Sequence, residues 1–175
     1  MRKIRSALIS LSDKSNLKPL LQELKRNNIK IISSGGTFKT IRKLKFKSLD
    51  VSDFTGFKEI LNGRVKTLHP KIHAGILNKR SSKSHSSDIK RNNFENIDLV
   101  IVNFYPFEKT IEQIKSHSKI IENIDVGGPT MVRAAAKNYN DVTVITSVDH
   151  YSGLINELKK NKGSTSLKFR EKMSR

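Results

Sequence analysis

The sequence contains no cysteine. The chain therefore has no disulfide, no thiolate metal ligand and no cysteine nucleophile, and it fits a reducing compartment. It also lacks any apolar run near the ~18 residues that cross a bilayer, so no membrane segment is predicted. The first residues are basic but are not followed by the apolar core of a signal peptide. We expect a cytoplasmic protein with no membrane partner.

Aromatic residues are few, with eight Phe, three Tyr and no Trp. Cations are abundant, because 34 Lys and Arg face 16 Asp and Glu, for a net charge of +18. Such a field attracts polyanions and steers phosphorylated small molecules. A nucleic-acid surface usually adds stacking aromatics or a groove-reading helix, and here the excess charge is mostly scattered lysine. We therefore expect no nucleic-acid partner.

Strand-length apolar runs alternate with helical apolar patterns along most of the chain. Residues 4–9 precede leucines at helical spacing, and residues 97–104 have the strongest strand pattern. This alternation predicts an α/β fold, with a doubly wound, mostly parallel sheet, helices on both faces and Rossmann-type topology. Ligands of such folds bind beyond the carboxyl ends of the strands.

Several local predictions accompany this fold. Asn16 is a candidate helix cap, and an alanine-rich helix is expected over residues 130–138. Pro106 is expected to start another helix, through Ile114. The polar segment 78–93 is expected to be a surface excursion with at most one helical turn.

Residues 63–75 read Gly-Arg-Val-Lys-Thr-Leu-His-Pro-Lys-Ile-His-Ala-Gly and follow neither a helical nor a strand period. This stretch carries the forked donors of a guanidinium (Arg64), the compact charge of an ammonium (Lys66) and a hydroxyl (Thr67). Together they can hold an anion and place a proton beside it. A solvated basic loop is the alternative. His69 and His73 have no further ligand nearby in sequence, so we expect them to shape the loop rather than bind a metal.

Residues 34–37 read Ser-Gly-Gly-Thr at the start of a predicted helix. Paired glycines let the backbone approach an anion closely, and the free N–H groups point outward at the positive end of the helix dipole. A plain turn would look the same. The chain has neither the Rossmann fingerprint nor the P-loop motif, so no dinucleotide or ATP site of those kinds is supported.

Six ordered motifs resemble one known family, the N-terminal IMP cyclohydrolase domain of the bifunctional purine biosynthesis protein, which has a methylglyoxal-synthase-like fold. The resemblance covers about residues 7–151. The motifs are Ser12-Asp13-Lys14, Ser34-Gly35-Gly36-Thr37, residues 63–75, Asn103-Phe104-Tyr105-Pro106-Phe107, Asp125-Val126-Gly127-Gly128 and Arg133-Ala134-Ala135-Ala136-Lys137-Asn138.

The resemblance implies closure of 5-formamidoimidazole-4-carboxamide ribotide to inosine monophosphate with loss of water, without metal or cofactor. The catalytic residues it implies are Lys66, Tyr105, Asp125 and Lys137. The substrate-binding residues it implies are Ser12, Asp13, Lys14, Ser34, Gly35, Gly36, Thr37, Arg64, Val65, Thr67, Val102, Asn103, Val126, Gly127 and Gly128. Of these, Val102 and Asn103, with residues 125–127, would face the base.

Physical alternatives stand beside these roles. Lys66 would act as a neutral base or stay protonated beside an oxyanion, and Asp125 would orient an amine or merely cap a helix. Tyr105 would otherwise be a strand-end aromatic. Asp125 and Lys137 lie at opposite ends of the predicted helix, more than ~12 Å apart along its axis. Lys137 is therefore assigned by resemblance alone.

The domain is expected to span residues 1–162, with residues 163–175 starting a poorly packed linker to a formyltransferase domain that this sequence lacks. The resemblance implies a homodimer for the full-length protein and a monomer or weak dimer for this piece. The alternative function is a non-catalytic nucleotide-binding regulatory module of the same fold. The glycine, aspartate and glutamine pattern of methylglyoxal synthase is not found.

Overall fold

A computed structural model of the chain describes residues 1–104 and 116–175. Its central sheet has five parallel strands in the order β4-β3-β2-β5-β6, and β1 and β7 form a separate antiparallel pair. The strands are β1 Arg2–Lys3, β2 Ser6–Leu11, β3 Lys30–Ser33, β4 Leu49–Asp50, β5 Leu99–Asn103, β6 Thr143–Ile145 and β7 Ser164–Thr165.

Helices follow most strands and cover both faces of the sheet. The helices are α1 Leu17–Arg26, α2 Gly35–Lys43, α3 Val51–Thr55, α4 Pro70–Leu77, α5 Lys83–Arg91, α6 His117–Glu122, α7 Gly127–Lys137, α8 Tyr151–Lys160 and α9 Leu167–Ser174. Short 3₁₀ helices occur at Leu61–Gly63 and Val148–His150. Within the described ranges, every helix is too short or too polar to cross a bilayer.

Two cores lie on opposite faces of the sheet, because successive residues of a strand point to opposite sides. Ile9 belongs to the core formed with α1, α2 and α8, whereas Leu8 belongs to the core formed with α3, α4 and α7. Leu8 pairs in register with Ile32 on one side and with Val100 on the other. The predicted doubly wound α/β fold is confirmed.

One local prediction was wrong, and two were right only in part. Residues 78–93 contain the nine-residue helix α5, whose start is capped by Ser82 accepting a hydrogen bond from the His85 N–H at 3.3 Å. The alanine-rich helix α7 begins at Gly127 rather than at Thr130. Asn16 precedes α1 in a left-handed conformation, and within the described residues its side chain makes no capping hydrogen bond. The helix predicted from Pro106 lies outside the described residues.

The prediction that the last residues pack poorly was also wrong. Thr165 of β7 pairs with Arg2 of β1 and is fully buried. Arg170 of α9 is only 3% exposed and donates to the carbonyl oxygens of Tyr139 (2.8 Å), Asn140 (3.0 Å) and Thr165 (2.6 Å). Charge-assisted hydrogen bonds hold the segment, and Phe169 and Met173 pack against the core beside them. The polar part of this packing leaves no hydrophobic pattern in the sequence. The boundary between residues 162 and 163 stays a prediction.

Candidate active site

A cavity of about 620 Å³ opens beyond the carboxyl ends of β2 and β3. Four separate parts of the sequence meet there. The lining residues are Ser10, Leu11, Ser12, Lys14, Ser34, Gly35, Gly36, Thr37, Asn62, Gly63, Arg64, Lys66, Thr67, Ile121, Glu122, Ile124, Asp125, Val126, Gly127, Gly128 and Met131. The sheet edge predicted to bind the ligand therefore carries the cavity.

The start of α2 is the most favourable place for an anion in this cavity. Gly35 has a left-handed backbone (φ 53°), and Ser34 provides no side-chain cap within the described parts of the chain. A Cβ on Gly35 would lie 3.6 Å from the Lys66 Nζ, and one on Gly36 would lie 3.9 Å from the Lys14 Nζ. The first amides of α2 and two ammonium groups thus surround one volume, which favours a phosphate group.

A short hairpin presents Arg64 and Lys66 to the cavity. Ile60 and Val65 form an antiparallel bridge with N···O distances of 3.1 and 3.4 Å. The turn between them includes three successive residues of positive φ, ending at Gly63 (φ 86°). A Cβ on Gly63 would lie 3.3 Å from the Lys66 Nζ, so the glycine leaves room for the ammonium group. Val65 forms the bridge and does not line the cavity within the described residues.

Each cation of the hairpin is paired with a carboxylate. The Arg64 guanidinium donates twice to Glu122 of α6, with Nε to Oε1 at 3.1 Å and the second bond from Nη2 to Oε2. The hydrogen bonds between these two side chains raise the pKa of Arg64 and lower the pKa of Glu122. The Lys66 Nζ lies 3.1 Å from Glu59 Oε2.

Two threonine side chains are buried in the cavity wall. The Thr37 hydroxyl accepts from the Leu11 N–H at 2.8 Å and donates to the Leu11 carbonyl at 3.1 Å. It therefore ties the end of β2 to α2. Thr67 packs against Gly127, where an added Cβ would overlap its hydroxyl. Gly127 thus lets the hairpin segment approach the start of α7.

Asp125 lies at the other end of the cavity, at the start of α7. Its Oδ1 accepts from the Gly128 N–H at 2.9 Å, as a helix-capping carboxylate does. A Cβ on Gly128 would overlap the Asp125 carboxylate and lie 2.9 Å from the Phe104 ring. The capping alternative for Asp125 is therefore seen in the geometry, and the carboxylate is also exposed to the cavity.

Asn103 holds the loop that follows β2. Its Oδ1 accepts from the N–H groups of Ser12 (2.8 Å) and Asp13 (3.0 Å), and its Nδ2 donates to the Asp13 carbonyl at 2.7 Å. The Asp13 carboxylate caps the next turn through the Ser15 N–H, and this hydrogen bonding lowers its pKa. Behind the loop lies Tyr151, whose buried hydroxyl has no hydrogen-bond partner of good geometry in the described structure.

Several predicted site residues lie away from the cavity lining. Val102 is 1% exposed and its side chain packs in the core, so only its backbone could contact a ligand. Lys137 is the exposed last residue of the unbroken helix α7, ~15 Å along the axis from Gly127. Tyr105 lies outside the described residues. The roles assigned to these three residues stay predictions.

The histidines of residues 63–75 serve the local structure, as predicted. The His69 Nδ1 accepts from the Lys71 N–H at 3.1 Å and caps α4, and His73 Nδ1 lies 3.3 Å from the His69 carbonyl. In the described ranges no three His, Asp or Glu side chains are grouped as metal ligands.

Sequence reasoning missed the residues at and just after the end of α6 that line the cavity. Ile121, Glu122 and Ile124 immediately precede the Asp125 motif but follow no periodicity that would have marked them. Glu59 was missed for a similar reason, since a lone exposed carboxylate carries no pattern. Their proximity in sequence to predicted motifs was the one available signal.

Fold and site together define a doubly wound α/β domain with a cation-lined cavity at the carboxyl edge of its sheet. The chain belongs to the MGS-like domain family, whose model matches residues 16–130. A second model, described as AICARFT/IMPCHase bienzyme, matches residues 135–175.

Individual relatives agree with these matches. The bifunctional purine biosynthesis protein PurH of Dinoroseobacter shibae is 48% identical over 171 residues, covering 98% of this chain and 32% of the relative. The protein of the same name from Acetivibrio thermocellus is 51% identical over 172 residues, covering 98% of this chain and 33% of the relative. The chain thus spans about a third of the length of these curated relatives. A crystal structure of ForH superposes with a TM-score of 0.86 and 29% identity, covering 97% of this chain and 87% of that chain.

Proposed function

We propose that this domain is an IMP cyclohydrolase, which closes 5-formamidoimidazole-4-carboxamide ribotide to inosine monophosphate in purine biosynthesis. The substrate is a small purine ribotide, the protein acts in the cytoplasm, and no nucleic acid takes part. The observation that carries the proposal is the meeting of Lys14, Lys66 and Asp125 around one cavity beside the open start of α2. The relatives named for purine biosynthesis supply the pathway, and the AICARFT/IMPCHase model that matches residues 135–175 supplies the reaction class.

In this proposal the ribose phosphate binds at the start of α2. Free amides, the Lys14 ammonium and the Arg64 guanidinium can each meet a phosphate oxygen there. The base then extends toward Asp125 and the first turn of α7, which form the opposite wall of the cavity. Asn103 holds Ser12 in place through its side-chain oxygen, so Asn103 shapes the phosphate end of the cavity, and its second amide N–H is left for the base.

The reaction needs proton transfer and charge stabilisation. The carboxamide nitrogen attacks the formyl carbon and loses one proton, and the formamide nitrogen loses another as the ring becomes unsaturated. The formyl oxygen gathers negative charge, takes both protons and leaves as water. Both reacting groups belong to one ring, so orientation supplies much of the rate. The Lys66 ammonium suits the developing oxyanion, and the Asp125 carboxylate suits the amide that loses its proton.

Tyr105 and Lys137 are included on the family resemblance. Helix α7 is unbroken, so a Lys137 that acts at this cavity has to lean back toward the start of its helix or come from another copy of the chain. A homodimer of the full-length protein, with a formyltransferase domain beyond these residues, would provide such a copy.

The test is a ring-closure assay that follows ultraviolet absorbance as the purine forms, with a chelator present. We expect turnover by the wild type and a loss of about a hundredfold or more in kcat/KM for Lys66→Met and for Asp125→Asn. Asn at position 125 keeps an acceptor for the Gly128 N–H, so that variant should fold and separate the cap from the chemistry.

Lys159→Met is the matched control, because Lys159 is an exposed lysine in the last turn of α8, away from the cavity lining. It should keep wild-type kcat/KM. If the folded wild type bound inosine monophosphate but showed no turnover, the domain would be a nucleotide-binding regulatory module and not an enzyme. Equal activity of Lys66→Met and the control would remove Lys66 from the mechanism.

A further inference from the structure

The ion pair between Arg64 and Glu122 joins two walls of the cavity. Arg64 lies on the hairpin bridged by Ile60 and Val65, and Glu122 is the last residue of α6. Both side chains line the cavity, and the guanidinium uses two of its donors on one carboxylate. The same fork geometry is what binds a phosphate group. An anion that engages Arg64 in this way must therefore displace Glu122 or share the guanidinium with it.

This ion pair is suited to exchange. The side chains are 62% and 59% exposed, so solvent screens the pair and its contribution to stability is small. A phosphate dianion carries more charge than a carboxylate and offers three acceptor oxygens, so it competes well for the guanidinium. A ligand carboxylate gains much less, because it would replace one carboxylate by another.

We propose that Glu122 is an internal competitor for the ligand anion, which holds Arg64 at the cavity and releases it to a phosphate. In this arrangement Glu122 determines specificity, because an anion binds the guanidinium only if it interacts with Arg64 more strongly than the Glu122 carboxylate does. It also fastens α6 to the hairpin until the ligand arrives. The inference rests on the proposed function for the location of the phosphate, and it adds a residue that the family motifs do not contain.

The exchange of charges has a directional consequence. Arg64 and Glu122 each hold the pKa of the other toward the charged form, so the pair is ionised across the neutral range. Neutralising Glu122 leaves Arg64 charged and without its carboxylate. Anion affinity should then rise, because the guanidinium no longer has to leave a carboxylate. A residue that merely supported the fold would lower affinity when changed, so the sign of the effect separates the two roles.

The experiment measures inosine monophosphate binding by calorimetry for wild type, Glu122→Gln and Glu95→Gln. Glu95 is the matched control, because it pairs with Lys30 at 2.7 Å, is similarly exposed at 52% and does not line this cavity in the described residues. Each variant removes one negative charge. We expect Glu122→Gln to bind about two- to fivefold more tightly, while Glu95→Gln stays within about 1.5-fold of wild type.

Hydrogen exchange of the α6 amides gives the second readout. In wild type, inosine monophosphate should speed exchange of these amides, whereas in Glu122→Gln exchange should already be fast without ligand. Wild-type turnover with identical affinities for the two variants would overturn the competitor role and leave the proposed function standing. Absence of binding and turnover in all three proteins would overturn both.

Discussion

Polar side chains around the cavity divide into those that face it and those that hold its backbone. The Thr37 hydroxyl, predicted to bind substrate, uses its one donor and one of its two acceptor lone pairs on Leu11. Asn103, predicted to face the base, uses its amide oxygen and one amide N–H on the loop after β2. At the residue scale the motifs therefore encode a rigid rim as well as ligand contacts, because an orphaned backbone group would be costly there.

Thr37→Val tests this division. Valine has a similar shape but leaves the Leu11 N–H without its buried partner, so the free energy of unfolding should fall by about 1–3 kcal/mol. Thr37→Ser keeps the hydroxyl and should lose about 1 kcal/mol or less, for one methyl group. Urea unfolding of both variants gives the comparison. If Thr37→Val kept wild-type stability but lost ligand binding, the hydroxyl would contact the ligand rather than support the backbone.

Tyr151 gives a prediction in alkaline solution. Burial, together with the nearby Asp13 charge, raises the pKa of Tyr151 to about 12, against about 10 for an unfolded tyrosine. The fold thus favours the neutral phenol. This contribution to stability is fully present below pH ~10 and is lost as the pH rises through ~12.

Tyr151→Phe removes the ionisable group, and the difference from wild type isolates it from the titration of the lysines. At pH 8 the variant should be within about 0.5 kcal/mol of wild type, because the hydroxyl has no well-formed partner in the described structure. Between pH 8 and 11.5 wild type should lose about 2 kcal/mol more than the variant in urea unfolding. Parallel pH profiles for the two proteins would show that the phenol titrates normally.

At the scale of elements, the sequence predicted what a periodic apolar pattern encodes. Strand β5 and helix α1 were found from their apolar residues, and the parallel order followed from alternation of strand and helix. Helix α5 was not predicted, because it has no buried residue and so no apolar pattern; its start is capped by Ser82. The packing of helix α9 was not predicted, because a buried arginine helps to hold this helix and leaves no apolar pattern.

The candidate site shows the same limit. Gly35 and Gly63 stand out in sequence, since glycines beside cations or hydroxyls indicate an approach of backbone to an anion. Glu122 does not, because its role depends on where α6 lies relative to the hairpin. Contacts between an isolated side chain and a distant loop are set by tertiary packing and leave no local pattern.

Arg170→Met tests whether α9 is part of the domain. Methionine keeps an unbranched apolar stem, but three carbonyl oxygens lose a charged donor, so the free energy of unfolding should fall by about 2–4 kcal/mol. Lys168→Met removes the same charge from an exposed position of the same helix and should change stability by about 0.5 kcal/mol or less. If the two variants unfold alike, the last helix contributes little to the fold.

The whole molecule carries a net charge of +18, and this field acts on ligands before any contact forms. Scattered lysines attract any anion, but the cavity combines cations with free helix amides and closely placed glycines. Long-range charge should therefore govern the rate of encounter, and the cavity should govern dissociation.

Stopped-flow binding at increasing salt separates these contributions. Raising ionic strength from about 20 to 300 mM shortens the Debye length to below ~6 Å and should slow association of inosine monophosphate about tenfold. Its dissociation rate should change much less. Inosine, which lacks the phosphate, is the matched ligand, and its affinity should be nearly independent of salt. Displacement of inosine monophosphate by a non-specific oligonucleotide, with the steep salt dependence of counterion release, would instead identify the basic surface as a nucleic-acid site.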